Sequence, residues 1–187
     1  MPQPTPSPTV LRLHIELNGV QPTVWRRLLV PGGVKLATLH HMLQAALGWG
    51  DAHLHAFQIG ERTYGSQEDE DEPDDELDEE WITVLHALGD HEEFVYEYDF
   101  GDGWAHRVVV EERLPQHAAL KFAVCLAGAN ACPPDDVGGP SGYAFFLGAM
   151  ADPGHERHDY SVEWIGGTFD PTEFDLGATN IALQKVR

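Results

Sequence analysis

Four groups of side chains in this sequence have types and spacings that could do chemistry. The first is Asp99, Asp102 and His106. Carboxylate oxygens beside an imidazole suit a divalent cation or acid–base work. Strand alternation, however, sets Asp99 and His106 on opposite faces, and an Asp-Gly turn selects aspartate for its own local bonding. The plainer reading is a turn aspartate and a packed His106. The second group is His53 and His55. Alternate positions on a strand point the same way, about 7 Å apart, with Phe57 and Ile59 as an apolar floor. The sequence names no third ligand, and the plainer reading is two histidines at a sheet edge.

The third group is Cys125, Cys132, His155 and His158. Two thiolates and two imidazoles are a legitimate zinc set, and His155 and His158 would share a helix face. The cysteine spacing is wider than in ordinary zinc fingers, so the plainer reading is two small buried cysteines and a surface helix. This set ranks first among the metal readings, because both of its parts flank one loop. The fourth group is that loop, CPPDDVGGPSGY from Cys132 to Tyr143. Asp135 and Asp136 offer carboxylates, and Gly138-Gly139 permits close backbone approach. A helix beginning near Ser141 would favour an anion, but the lysine of a phosphate loop is missing. The plainer reading is an ordered loop in which Asp135 and Asp136 bond backbone N–H groups.

The positioning elements follow from hydrophobic period. Leu11, Leu13, Ile15 and Leu17 alternate with polar residues, which predicts a strand over 10–17. Asn18-Gly19 is a turn, and 24–30 is the returning strand. From 38 to 47 the period changes. Leu39, Met42, Leu43, Ala46 and Leu47 make one helical stripe, with Thr38 as cap and Gly48 as stop. A strand over 53–59 follows, and then one or two helical turns within 82–88. Residues 93–112 read as a hairpin around Gly101-Asp102-Gly103. A three-residue loop pairs Phe100 with Trp104, puts Phe94, Tyr96, Tyr98 and Phe100 on the face of Trp104, His106, Val108 and Val110, and sets Glu97 opposite Arg107. Residues 120–125 read as a further strand. Helices are expected around 143–150, over 155–164 and from Asp170, where D-P-T-E combines a cap, a first-turn proline and a capping-box glutamate. Strands early and helices late define an α+β fold: a mixed or antiparallel sheet from the N-terminal two-thirds, covered by helices, with a helical C-terminal third.

Composition narrows the function classes. The 187 residues include 31 acidic and 11 basic ones, a net charge of −20. Eleven of the acidic residues fall in the thirteen positions 68–80. Residues 66–80 are therefore expected to be a mobile acidic loop, suited to a basic protein partner. The excess acid argues against direct nucleic-acid binding, although Arg12, Arg26, Arg27 and Lys35 could form a local basic patch. The start, MPQPTPSPTV, reads as a disordered proline-rich tail over 1–9 and not as a signal sequence. Two cysteines in such a chain fit a reducing, cytoplasmic setting, and no apolar run approaches a membrane span. One domain over 10–187 is expected.

Beyond these physical readings, the chain resembles the plasmid pRiA4b ORF-3-like family, some of whose members are described as TnpR-like passenger proteins of insertion elements. The resemblance is carried by PTVWRRLLVP, LATLHHMLQAALGW, HLHAFQIG, YEYDFGDGWAHRVVVE, CLAGANACPPDDVGGPSGYAFFL, DPGHERHDY and WIGGTFDPTEFD, across residues 10–183. The family's ACPPEDVGG stands here as ACPPDDVGG, and the acidic insert is longer. The resemblance implies an α+β domain whose sheet is covered by helices, and a link to plasmids and mobile elements. It implies no resolvase chemistry, because Ser7, Ser66, Ser141 and Ser161 lack an arginine cluster. The expected function is a cytoplasmic binding or accessory module. The alternative is a metal-dependent hydrolase or nuclease-like enzyme using histidine and aspartate. No cofactor is implied beyond a divalent metal in that alternative.

Overall fold

A computed structural model describes residues 9–66, 76–115 and 120–186. Its centre is an eight-stranded sheet built from β1 (Thr9–Leu17), β2 (Trp25–Pro31), β3 (His55–Ile59), β4 (Arg62–Gly65), β5 (Glu76–Asp78), β6 (Glu93–Tyr98), β7 (Trp104–Pro115) and β8 (Val124–Ala129). The spatial order is β5-β4-β3-β6-β7-β1-β2-β8. Neighbours run antiparallel except β4 and β5, which are parallel. The sheet dominates the N-terminal part and most of the helices come later: α1 (Leu36–Leu47), α2 (Val84–Leu88), α3 (Gly139–Ala151), α4 (His158–Ile165) and α5 (Leu176–Leu183). Among the described residues no helix is long and apolar enough to cross a membrane. The expected tail over 1–9 lies outside the described residues except for Thr9, which opens β1.

Period decides which face of the sheet is dry. Leu11, Leu13, Ile15 and Leu17 of β1, Leu28 and Val30 of β2, Phe57 and Ile59 of β3 and Phe94, Tyr96 and Tyr98 of β6 are all buried. Against that face lies the α1 stripe of Leu39, Met42, Leu43, Ala46 and Leu47, also buried. Burying each leucine or methionine contributes roughly 1.5–3 kcal/mol. Gly48 ends α1 at φ 89°, as expected. The start differs: α1 begins at Leu36, not at Thr38. Its first free N–H is bonded by the Ile82 carbonyl (3.0 Å), so a backbone neighbour replaces the side-chain cap.

The hairpin keeps the expected face and loses the expected loop. Tyr98 pairs with Trp104, Tyr96 with His106 and Phe94 with Val108. The loop is therefore residues 99–103. Asp99 begins it by accepting the Gly101 and Asp102 N–H groups on Oδ1 (3.1 and 3.2 Å), an Asx-type turn. Gly103 closes it at φ 70°. The two extra loop residues leave side-chain parity unchanged, but they expel Phe100 to 52% exposure. They also move Arg107 away from Glu97 and onto Glu93.

Two C-terminal expectations shift for tertiary reasons. The strand expected over 120–125 runs instead from Val124 to Ala129, paired with β2. Gly128 belongs to this strand. A Cβ there would stand 2.7 Å from the Phe174 ring and 2.8 Å from the Arg26 chain, so glycine marks a close crossing. The helix expected from Asp170 is only a turn, with Asp170 Oδ1 accepting from Thr172 N–H and Oγ1–H. The chain stays non-helical while Phe174 lies over the Arg26 guanidinium, 4.4 Å from ring centroid to Cζ. The helix starts after Asp175, whose Oδ1 accepts the Ala178 N–H (2.9 Å). The helix expected over 155–164 likewise begins later, at His158. On α5, Asn180 reaches the outer edge of β8: its Oδ1 accepts the Cys125 N–H (2.9 Å) and its Nδ2 donates to the Cys125 carbonyl (3.0 Å).

Candidate metal centre

One cavity of about 650 Å³ opens where the loop after α1, the end of β6 and the stretch after β5 meet. His40, His53, His55, Asp51, Glu79 and Asp99 all line it. Within it the side chains sort into three arrangements. His40 and His41 hold Asp51 between them, at 2.6 and 3.1 Å. His55 holds both Glu79 oxygens, at 3.1 and 2.9 Å. His53 Nε2 stands 3.5 Å from Asp99 Oδ2 and 3.3 Å from Asp136 Oδ1.

The first arrangement is satisfied by hydrogen bonds. Gln44 Nε2 donates to the Tyr96 hydroxyl (2.9 Å), which leaves the phenol proton for His40 Nδ1 (2.8 Å). His40 is then the neutral tautomer with its proton on Nε2, and donates it to Asp51. Burial, followed by the stacked His55 ring 3.4 Å away, pushes the His40 pKa down to about 4. The second arrangement is also complete, because Glu79, 3% exposed, receives the His55 N–H on both oxygens.

The third is incomplete. His53 Nε2 is buried and makes no aligned hydrogen bond among the described residues, although two carboxylate oxygens stand 3.3 and 3.5 Å away. All three ligand atoms lie within 4.8 Å of one another. Three separate loops deliver them. Asp99 (φ 55°) and Asp136 (φ 60°) both adopt the left-handed region, a conformation that non-glycine residues hold at a cost and that gathers at functional sites. The Asx turn fixes Asp99 by occupying Oδ1, so that Oδ2 faces His53. The hairpin tip positions Asp136 indirectly. Asp102 Oδ2 accepts the Gly138 N–H (3.1 Å), and Gly139 (φ 68°) lies so close that an added Cβ would be 2.5 Å from the Asp102 carbonyl oxygen.

The sequence-derived groups are therefore redistributed. Asp99, Asp102 and His106 do not converge. Asp99 joins His53, Asp102 joins the glycine loop, and His106 is fully buried with Nδ1 3.1 Å from the Tyr96 carbonyl. His53 and His55 share the cavity but not a set of partners, because His53 precedes β3 and lies off the strand's alternation. Cys125, Cys132, His155 and His158 do not come together. His158 Nδ1 bonds the Ala149 carbonyl, and His155 Nδ1 accepts the Arg157 N–H. Burial raises both thiols, Cys132 to about 12, which opposes thiolate formation. The carboxylate that bonds this loop's backbone is Asp102 of the hairpin tip and not Asp135 or Asp136; Asp135 Oδ1 is buried without a hydrogen-bond partner among the described residues. The suggested basic patch is engaged elsewhere: Arg12 and Arg27 with Glu111, Lys35 with Glu80, and Arg26 inside the fold.

Sequence reasoning missed His40, His41, Asp51 and Glu79. His40 and Gln44 carried a signal, being polar residues four apart on the buried stripe of α1. Glu79 carried none, as one of eleven acidic residues in a run. The structure narrows that expected mobile stretch. Tyr64 pairs with Leu77 and β5 ends one residue before the buried Glu79, while 67–75 lie outside the described residues.

His106 supplies a pH test away from the cavity. Burial pushes its pKa from 6.5 down to about 4. The folded state thus refuses a proton that the unfolded chain accepts. Its stabilising contribution is complete above pH 6.5 and is lost as the pH falls to about 4, a change of about 3 kcal/mol. Urea unfolding across that range is expected to show a steeper loss of stability for the wild type than for His106→Phe. Parallel profiles would contradict it.

Fold and site together define a class: a largely antiparallel sheet with one dry face, carrying a cavity of imidazoles and carboxylates at one end. The family model for plasmid pRiA4b ORF-3-like protein matches residues 9–178, and the chain belongs to that family. It is 39% identical over 176 residues to the uncharacterized protein y4hQ of Sinorhizobium fredii (strain NBRC 101917 / NGR234), covering 93% of this chain and 88% of that one. It also resembles the crystal structure of MM3350, a protein of unknown function from Methanosarcina mazei Go1. That match has a TM-score of 0.82 and 32% identity, and covers 91% of this chain and 97% of the other.

Proposed function

We propose that the protein is a divalent-metal-binding module whose metal is held by His53, Asp99 and Asp136. The observation that carries this reading is the buried, unbonded His53 Nε2 facing two carboxylates. A proton cannot bond both carboxylates at 3.3 and 3.5 Å; a cation drawing all three atoms inward satisfies them together. One imidazole and two carboxylates suit manganese or zinc, and three protein ligands leave positions open for water.

That openness, with the His55–Glu79 pair on the same cavity wall, supports a second reading as a metal-dependent hydrolase. The metal would supply an acidified water, and the Glu79–His55 pair a proton acceptor. An accessory role beside mobile elements rests on the family's plasmid name. A cytoplasmic location is supported by the two free cysteines. The charge of residues 68–80 supports a basic protein partner.

Calorimetric titration of chelator-stripped protein with Mn²⁺ or Zn²⁺ tests the metal reading. One equivalent is expected to bind. His53→Ala is expected to weaken it by more than about 100-fold, beyond the effect of losing an outer hydrogen-bond partner. Cys132→Ala is expected to bind as the wild type does. No uptake by the wild type, or uptake indifferent to His53→Ala, would refute it.

A further inference from the structure

Beside the metal cavity runs a second concavity of about 330 Å³ between α3 and α4. Its walls are ring-rich: Phe145, Phe146, Tyr160 and Trp164. Three of these rings face water, with Phe145 53%, Tyr160 60% and Trp164 40% exposed. Trp164 is held edge-on against Phe146 at 5.6 Å, so the ring walls are set by packing. Ring faces left open in a groove suit a flat ligand ring.

Arg157 is the second observation. It lies over the Tyr160 ring at 5.5 Å and also lines the groove. Its guanidinium has no carboxylate partner among the described residues, in a chain with 31 acidic residues. Arg12, Arg27 and Arg107 are paired with glutamates, Arg26 and Arg113 donate to carbonyls, and Arg62 alone of the other described arginines shares with Arg157 the lack of a carboxylate or carbonyl partner. An exposed arginine left without a carboxylate beside open aromatic rings is arranged for an anion attached to a ring.

Asp136 is the third. It lines the groove, and its Oδ1 stands 3.3 Å from His53 Nε2. The groove thus shares Asp136 with the candidate metal centre.

We propose that this groove is the substrate subsite of the metal cavity and takes a mononucleotide. The base stacks among Tyr160, Trp164 and Phe145, and the phosphate is gripped by Arg157 and directed past Asp136 toward the metal. The proposal rests on the metal reading for the second anchor of the phosphate, while base and guanidinium contacts stand without it. A polynucleotide is disfavoured, because a net charge of −20 repels a phosphate backbone beyond a single gripped group.

Titration of the full chain with adenosine monophosphate, adenosine and inorganic phosphate, with Mn²⁺ or with chelator, tests this by calorimetry and tryptophan fluorescence. Adenosine monophosphate is expected to bind and to alter the emission of Trp164, with Mn²⁺ tightening it by about tenfold. Arg157→Gln is expected to weaken the monophosphate by about tenfold and to leave adenosine unchanged. Trp164→Ala is expected to abolish binding of both. Tyr160→Ala, at a more exposed ring, should weaken both and guards against a folding defect in Trp164→Ala. Nucleotide binding in chelator by a protein that takes up no Mn²⁺ would sustain the groove and sink the metal reading. Mn²⁺ uptake abolished by His53→Ala, with no nucleotide binding at millimolar concentration, would sink the groove alone. Inorganic phosphate binding as well as the monophosphate, indifferent to Trp164→Ala, would place the anion on the metal and overturn the subsite.

Discussion

Arg26→Ala is expected to destabilise the protein by about 4 kcal/mol. The side chain is 4% exposed and its guanidinium has no carboxylate partner among the described residues. Instead Nε donates to the Ala46 carbonyl (2.9 Å), Nη1 to those of Trp25 (2.8 Å) and Ala129 (2.9 Å), and Nη2 to that of Asn130 (3.0 Å). Phe174 covers the remaining face. One planar fork therefore ties the end of α1, the start of β2, the end of β8 and the chain entering α5. Burial pulls its pKa below the usual value, but arginine stays charged, and the four carbonyls repay part of the desolvation. Truncation strands those carbonyls and opens a void under Phe174. Arg26→Lys is expected to recover less than half of the loss, because an ammonium cannot span four acceptors set around a plane. Urea unfolding of the three proteins measures this. A cost below about 1 kcal/mol for the alanine variant would show that the carbonyls find water instead.

Trp104→Ala comes next, with an expected cost of about 3–5 kcal/mol. Trp104 is 1% exposed, faces Tyr98 across the hairpin and lies 6.1 Å from the Trp49 ring. Its Nε1 is buried without a hydrogen-bond partner among the described residues. Trp104→Phe therefore loses volume but no bond, and should cost only about 1–2 kcal/mol. The ratio of the two losses checks the packing. Equal losses would mean that the indole N–H matters and that the aromatic face is arranged differently.

The hairpin shows which part of this structure was legible in advance. Phe94, Tyr96, Tyr98, Trp104, His106 and Val108 share a face because strand alternation is local, and parity survives a loop longer by two residues. The loop length itself depended on Asp99 bonding its own backbone, which alternation cannot report. The α1 stripe was legible for the same local reason, while its first residue was not, because its capping partner is Ile82, forty-odd positions away. At Asp170 a complete local capping signal was overridden by the distant anchor of Phe174 on Arg26. The candidate site failed to show in the sequence in proportion to its long-range origin. His53, Asp99 and Asp136 were each noticed, but in three different groups, and only the docking of the hairpin tip against the glycine loop assembles them. Glu79 needed the parallel pairing of β5 on β4 to be separated from its acidic neighbours.

The amide of Asn180 gives β8 something a border strand ordinarily lacks. An open border offers a ladder of unspent donors and acceptors to any extended chain that drifts past, including another copy of itself. At Cys125 that rung is already filled from within, by an amide presenting one acceptor and one donor as the next strand's peptide would. The plug is delivered by α5, so the border stays recruitable until the rest of the sheet and α5 have docked. A ribosome-bound or truncated chain lacking that helix would be a template for strand addition, and the docking of α5 is what retires it.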